Sequence, residues 1–308
     1  MIYYLSIIIP FYNSRKFIDK SIKNSLEISK KNPNTEIIYI NNNSNDGSGI
    51  ILKNKIKNIK NIKFFVTNKK DGMGPGVARN LGVKKANSDL IMFLDSDDYV
   101  EIKYINSLIQ YCKKFKDNFF FLNMQSKKKH PLVRYNKKNL KLFFRNSNNM
   151  MVIGKVFAKK FLIKNNLVFK KNIYEDIYFV FKCHFYNKKK LSNFSKNIYV
   201  KTENPESITN SEITFNHIKC KFNAFESIEK FLKRKNLKIF NNLYKDIQYR
   251  FRGEFYNTCH NIINSNLNKQ VKEVLVSYTK KLYINSINHE FKMITTKDKF
   301  TKKKLFNV

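Results

Sequence analysis

The sequence predicts an α/β protein built on a mostly parallel sheet with helices on both faces, and three observations carry that prediction. Strand-like and helix-like patterns alternate through the first hundred residues. The strand-like runs are apolar along their length, as strands buried on both faces are. Polar and acidic residues gather where those runs end, and in such sheets ligands bind beyond the carboxyl ends of the strands.

Taken in order, "LSIIIPFY" reads as a buried strand, and Ser14 is placed to cap a helix with Phe17, Ile18, Ile22 and Leu26 on one face. "TEIIYINN" is a second strand, followed by a helix through "GIILKNKIKNI". "NIKFFVTN" is a third, leading to a short helix over "GVARNLGVKKA". "DLIMFLD" is a fourth, with a helix expected from about Tyr99 to Phe115. The pattern then becomes mixed, with strand-like "NFFFLNMQ" and "MMVIGKVFAK" and a helix over about Asp176 to Tyr186. The phenylalanines 119–121 are expected in a strand core. "QSKKKHPLVRYNKKN" is a basic loop candidate, and "KTENPESITN" is the expected boundary before a tail of amphipathic helices such as "FNAFESIEKFLKRK". No internal repeat is visible.

The chain of 308 residues is 42% hydrophobic and 15% aromatic, enough for a sizeable core and unlike a disordered chain. Its 60 basic and 23 acidic residues give a net charge of +37. Compositional bias towards Lys, Asn, Ile, Phe and Tyr is the simpler origin of that charge, yet a field of this size favours anionic partners such as a membrane surface. Scattered lysines and the lack of an RNA-binding or zinc-finger signature argue against nucleic acid. No apolar run spans a bilayer, and "MIYYLSIIIPFYN" lacks a basic leader and a cleavage site. A cytoplasmic protein is expected, with room for peripheral attachment to the inner face of the membrane. Four cysteines without a CxxC pair are expected to be reduced thiols.

The stretch "LIMFLDSDDYVE" ends a buried strand with Asp95, Asp97 and Asp98. Aspartates spaced in this way offer oxygen ligands to a hard cation, Mn²⁺ or Mg²⁺, and without one they repel each other. Asp98 with Glu101 has the spacing of a capping box for the next helix, whereas Asp95 and Asp97 have no such structural task. Upstream, Gly74-Pro75-Gly76 followed by Asp95 approximates a dinucleotide-binding fingerprint, but Arg79 stands where a small residue is needed. His184 and His217 are read as core or surface histidines rather than metal ligands.

Six stretches together resemble the inverting family-2 glycosyltransferases of the nucleotide-diphospho-sugar (GT-A, Rossmann-like) fold. They are "SIIIPFYN", "INNNSNDGS", "GMGPGVARNLG", "FLDSDD", "GKVFAKKFLIKNNLVFKKNIYEDIYF" and "IYVKTENPESIT", in order over residues 5–209. The resemblance implies a catalytic domain over residues 1–210, with 1–100 binding the nucleotide-sugar and 101–210 facing the acceptor. Residues 211–308 form a helical extension outside it. It further implies that Asp97 and Asp95 hold a divalent cation. Pro10, Tyr12, Asn13, Asn42, Gly74, Arg79, Asp95 and Ser96 would contact the donor. Asp176, beside Glu175, would be the general base, since inverting transfer needs a carboxylate to take the acceptor hydroxyl's proton. As first-turn residues, Glu175 and Asp176 also suit a helix N-terminus electrostatically.

One departure bears on the donor. The family's second-strand aspartate pair is Asn41-Asn42 here. An asparagine can accept the N3–H of uracil and donate to O4, and it suits guanine poorly. The expected reaction is therefore metal-dependent transfer from a UDP-sugar to a glycan or lipid-linked hydroxyl in polysaccharide biosynthesis. The alternative is a binding protein of the same fold without catalysis.

Overall fold

The computed structural model describes residues 2–72, 74–125, 140–145, 149–171, 174–189, 191–204 and 213–286. Residues 126–139 of the basic stretch and 205–210 of the expected boundary lie outside them. One sheet of eight strands organises the first two hundred residues, with Ile62–Val66 at one edge and Tyr99–Val100 at the other.

Its first half follows the alternation read from the sequence. Strands β1 (Leu5–Phe11) and β2 (Thr35–Asn41) are buried at all seven positions, as central strands covered on both faces must be. They pair in parallel with each other, β1 with β4 (Leu90–Phe93) and β2 with β3 (Ile62–Val66). The crossovers are α1 (Ile18–Lys31), α2 (Ser48–Lys55) and α3 (Pro75–Lys85). Helix α1 lays Ile18, Ile22 and Ile28 on the sheet, and its Ser21 and Ser25 hydroxyls meet the buried Tyr39 hydroxyl at 2.9 and 2.7 Å. Ser14 is not the cap of α1, which is Phe17; the Ser14 carbonyl accepts the Phe17 and Ile18 amides. Its side chain turns instead to Ser96, Oγ to Oγ 3.0 Å. The pairing of β1 with β4 ends at Ile8 and Phe93. Pro10, without an N–H, therefore falls where that ladder has already opened into a crevice.

The second half departs from the parallel plan. Strand β7 (Lys155–Ala158) runs antiparallel to both β4 and β6 (Phe119–Gln125), while β8 (Ser192–Val200) is parallel to β6. The helix expected from Tyr99 begins later. Tyr99–Val100 forms a two-residue strand, β5, antiparallel to β8, then a 3₁₀ turn over Ile102–Tyr104 precedes α4 (Ile105–Phe115). The capping box fails with it: Glu101 makes no side-chain cap, and Asp98 is bonded elsewhere. Helices α5 (Leu140–Arg145), α6 (Lys159–Lys164) and α7 (Glu175–Tyr186) cover this half.

Phenylalanines form the floor beneath the strand ends. Phe93 meets Phe157, Phe169 and Phe179 edge to face, and Phe169 stacks on Phe179 with centroids 3.7 Å apart. Phe119 and Phe120 are fully buried, as expected of a strand core. The last helices, α8 (Phe215–Lys235), α9 (Leu237–Ile263) and α10 (Lys269–Ser286), add a layer over α7. Phe231 of α8 sits against Tyr178, Phe181, Phe185 and Tyr186. Thr214 and His217 close a capping box at the start of α8. No disulfide links the four cysteines, and no helix among the described residues is long and apolar enough to cross a membrane.

Candidate active site

The carboxyl ends of β1, β2 and β4 meet the N-termini of α3 and α7 at one place. Beyond β4, the Asp98 amide donates to the Asp95 carbonyl at 3.0 Å. That tight turn gathers Asp95, Asp97 and Asp98, with one carboxylate oxygen of each within 4.8 Å of the others. The three carboxylates have different surroundings. Asp98 is buried and accepts Tyr199 Oη at 2.6 Å and the Thr202 amide at 2.7 Å, one on each oxygen. Asp97 accepts the Asn204 amide group at 2.6 Å. Asp95 pairs with Arg79 at 3.0 Å and its amide donates to Tyr199 Oη at 3.3 Å.

Crowding raises these acids. Burial, then the charge of Asp95, pushes Asp98 up to about 7, and burial raises Asp97 despite the Asn204 hydrogen bond. Clustered carboxylates that resist ionisation fit a divalent cation, which would relieve the repulsion. Asp95 and Asp97 are the pair suited to hold it, because both oxygens of Asp98 are already taken, by Tyr199 of β8 and by the Thr202 amide beyond it.

Arg79, buried on α3, is the hinge between the two halves of the site. One amino group pairs with Asp95 and the other with Glu175 at the start of α7. The guanidinium also lies over Phe169, 5.8 Å from the ring centre. Burial raises both Glu175 and Asp176, and the Arg79 charge opposes it in each case. Asp176 accepts its neighbour's amide, from Ile177, at 3.0 Å and also feels the charge of Asp95. Residues 80 positions apart in the chain thus share one electrostatic environment. Tyr174, which precedes them, holds a left-handed backbone (φ 61°), uncommon for an aromatic residue.

The remaining expected residues lie at the ends of β1 and β2 or open α3. Tyr12 and Asn13 are exposed just after β1, and Asn13 braces two loops. Its left-handed backbone (φ 48°) lets its amide donate to Ser44 Oγ at 3.0 Å while its side chain accepts the Asn45 amide at 3.0 Å. Asn41 and Asn42 are buried. Asn41 accepts the Ser44 amide at 2.8 Å, and Asn42 accepts the Thr67 hydroxyl at 3.1 Å. Gly74 caps α3 with φ 117°, a conformation that favours glycine. His184 is buried against Phe119, Phe121 and Phe143, away from the acid cluster, as a core histidine.

Sequence reading missed the latch from β8. Tyr199, Thr202 and Asn204 lie about a hundred positions beyond the acids they hold, within the "IYVKTENPESIT" stretch, and nothing local links the two. It also missed Lys155, fully buried beside Asp176, whose ammonium bonds the Met151 carbonyl and which burial pushes down to about 7.

Comparison with known proteins bears on this geometry. A cholesterol galactosyltransferase of Borreliella burgdorferi is 27% identical over 304 residues, spanning 89% of this chain and 82% of its own. An uncharacterized glycosyltransferase of Haemophilus influenzae is 28% identical over 254 residues, with 81% and 96% covered. Among solved structures, S. aureus TarS 1–349 in complex with UDP-GlcNAc matches with a TM-score of 0.60 at 17% identity, over 97% of this chain and 77% of that one. The mannosyltransferase PcManGT from Pyrobaculum calidifontis, in complex with GDP-Man and Mn²⁺, matches at 0.57 and 10% identity, over 93% and 86%. At those identities the two structures speak for the fold alone, which is GT-A. The profile of glycosyl transferase family 2 matches residues 6–192, more than half of the chain, and the protein belongs to that family of glycosyltransferases.

Proposed function

We propose that this glycosyltransferase is metal-dependent and inverting, moving a sugar from a nucleotide-diphospho-sugar, a UDP-sugar by preference, to a hydroxyl of a glycan or lipid-linked acceptor. The observation that carries the reading is the Arg79 bridge, which joins the acid turn after β4 to the Glu175-Asp176 pair at the head of α7. A donor's charged diphosphate and an acceptor's hydroxyl need those two groups side by side.

In this reading Asp97 and Asp95 hold Mn²⁺ or Mg²⁺, which supplies charge neutralisation on the leaving diphosphate. Pro10, Tyr12, Asn13 and Asn42 border the base. The Thr67 hydroxyl fixes the Asn42 amide, whose oxygen keeps a second lone pair for the N3–H of uracil. Gly74, Arg79 and Ser96 border the diphosphate and sugar, and Asp95 also reaches the ribose. Asp176 takes the proton from the acceptor hydroxyl, and burial raises its affinity for protons, as a base needs. Glu175 keeps Arg79 in place. Residues 1–210 form the catalytic domain, working in the cytoplasm at the inner face of the membrane, and residues 211–308 are an extension to it whose described part is helical. Support for the donor class comes from TarS, solved with UDP-GlcNAc, and for the cation from PcManGT, solved with Mn²⁺.

The test is calorimetric binding of UDP, GDP, CDP and TDP, with and without Mn²⁺, to wild type and Asp97→Ala. Metal-dependent binding of UDP, lost in the variant, is expected. Binding of no nucleotide would overturn the reading and leave a protein of this fold without catalysis, the outcome that Asn41-Asn42 in place of acids would favour.

A further inference from the structure

A cavity of about 300 Å³ lies on the other side of Glu175 from the acid turn, between α7 and α8. One wall is Tyr174, Glu175 and Tyr178 with Lys170. The other comes from α8 alone, with Asn223, Ser227 and Lys230 among its residues. The catalytic half therefore does not complete this cavity by itself.

Charges around the cavity are unevenly satisfied. Glu175 is held by Arg79, and Glu226 pairs with Lys230 at 2.6 Å. Lys221, on the same helix, is taken by Glu254 at 2.5 Å. Lys170 differs from these. Its ammonium donates to Ser227 Oγ at 2.7 Å and lies over the Tyr178 ring, 4.7 Å from its centre, and no carboxylate among the described residues forms an ion pair with it. Partial burial lowers its pKa, with Glu226 opposing. An ammonium anchored by a hydroxyl and an aromatic face, turned to a polar cavity, is a site for an anion.

We infer that this cavity is the acceptor subsite, and that it takes a hydroxyl compound bearing a phosphoryl group. Lys170 pairs with the phosphate, Asn223 and Ser227 supply hydrogen bonds, and the hydroxyl to be glycosylated points across Glu175 to Asp176. This rests on the proposed function for the identity of the reaction, but the binding claim stands apart from it. The volume suits a single sugar or short polyol with its phosphate, and the phosphate can belong to a soluble polyol phosphate or to a lipid headgroup. It also gives the C-terminal helices a task, since α8 forms half of the binding surface.

The experiment is calorimetric titration of the full chain with glycerol 3-phosphate, and with glycerol as control, in the presence and absence of UDP and Mn²⁺. Wild type should bind glycerol 3-phosphate and not glycerol. Lys170→Met and Asn223→Leu should each weaken it about tenfold or more, as loss of a bond to a charged group does. A parallel arm uses phosphatidylglycerol vesicles at about 0.5 M salt, where diffuse attraction to the basic surface is screened. Loss of vesicle binding in Lys170→Met assigns a headgroup, and loss of only the soluble probe assigns a polyol phosphate. No binding by wild type in either arm, or equal binding by both variants, overturns the inference. Failure of UDP to bind in the presence of Mn²⁺ overturns the donor reading and leaves the phosphate arm, read without UDP, to decide the cavity.

Discussion

Asp98, third of the carboxylates that end β4, is committed to structure: Tyr199 and the Thr202 amide hold both of its oxygens. Asp95 and Asp97 stay at the crevice, so near-identical neighbours in sequence divide into a latch and a candidate metal pair. At α7 the same division separates Glu175, locked to Arg79, from Asp176. Replacing Asp176 with Asn should lower turnover by about 10²–10⁴ while nucleotide binding persists, the usual size of a general-base effect. Turnover within a few-fold of wild type would remove Asp176 from the chemistry. His184 gives a pH prediction. Burial, helped by Lys155, pushes it down to about 3 from the ordinary 6.5. The unfolded chain alone takes up this proton in the interval between, so the stability tied to neutral His184 is complete above pH 6.5 and is lost as pH falls towards 3. The melting temperature of His184→Phe should fall less than that of wild type between pH 6.5 and about 4. Parallel curves would assign the acid sensitivity elsewhere.

Among elements, the contact of α3 with α7 decides whether the site exists. Gly76 makes it possible: a Cβ there would sit 2.2 Å from the Lys170 carbonyl oxygen and 2.9 Å from Glu175 Cγ. The glycine that suggested a dinucleotide fingerprint serves helix packing instead. Gly76→Ala should destabilise the fold by about 1–3 kcal/mol, an ordinary cost of overpacking against backbone. It should also part Arg79 from Glu175, visible as weakened donor binding. A variant with wild-type melting and binding would show that the contact yields. The short strand β5 makes a related point. Tyr99 and Val100 pair with Val200 and Tyr199, and that pairing carries Tyr199 to Asp98. A helix beginning at Tyr99 would have broken the latch.

At the scale of the molecule, the helices after residue 213 share one core with the rest. Ile228 and Phe231 of α8 are buried, the latter against four aromatic residues of α7. Removing residues 211–308 should therefore expose an apolar face, lower the melting temperature and raise dye binding to exposed apolar surface. A truncated chain that melts like the full one would make the extension an appendage. The net charge of +37 is a property of this scale too, a field that favours anionic partners whatever each lysine does locally.

The elements of the first half, the strand ends where polar residues gather, the family, and the candidates Asp95, Asp97 and Asp176 are all legible in the chain before it folds. These signals are local, set by apolar runs, turn residues and short motifs. Three features emerge only on folding: β7 runs antiparallel beside β4, Ser14 bonds Ser96 rather than capping α1, and Tyr199, Thr202 and Asn204 hold the acids. Pairing across a hundred residues leaves no local pattern, because its energy comes from surfaces that meet only once the chain has closed. The affinity of Asp98 and His184 for protons was likewise invisible beforehand. It depends on which groups lose water together, and burial is a property of the assembled fold.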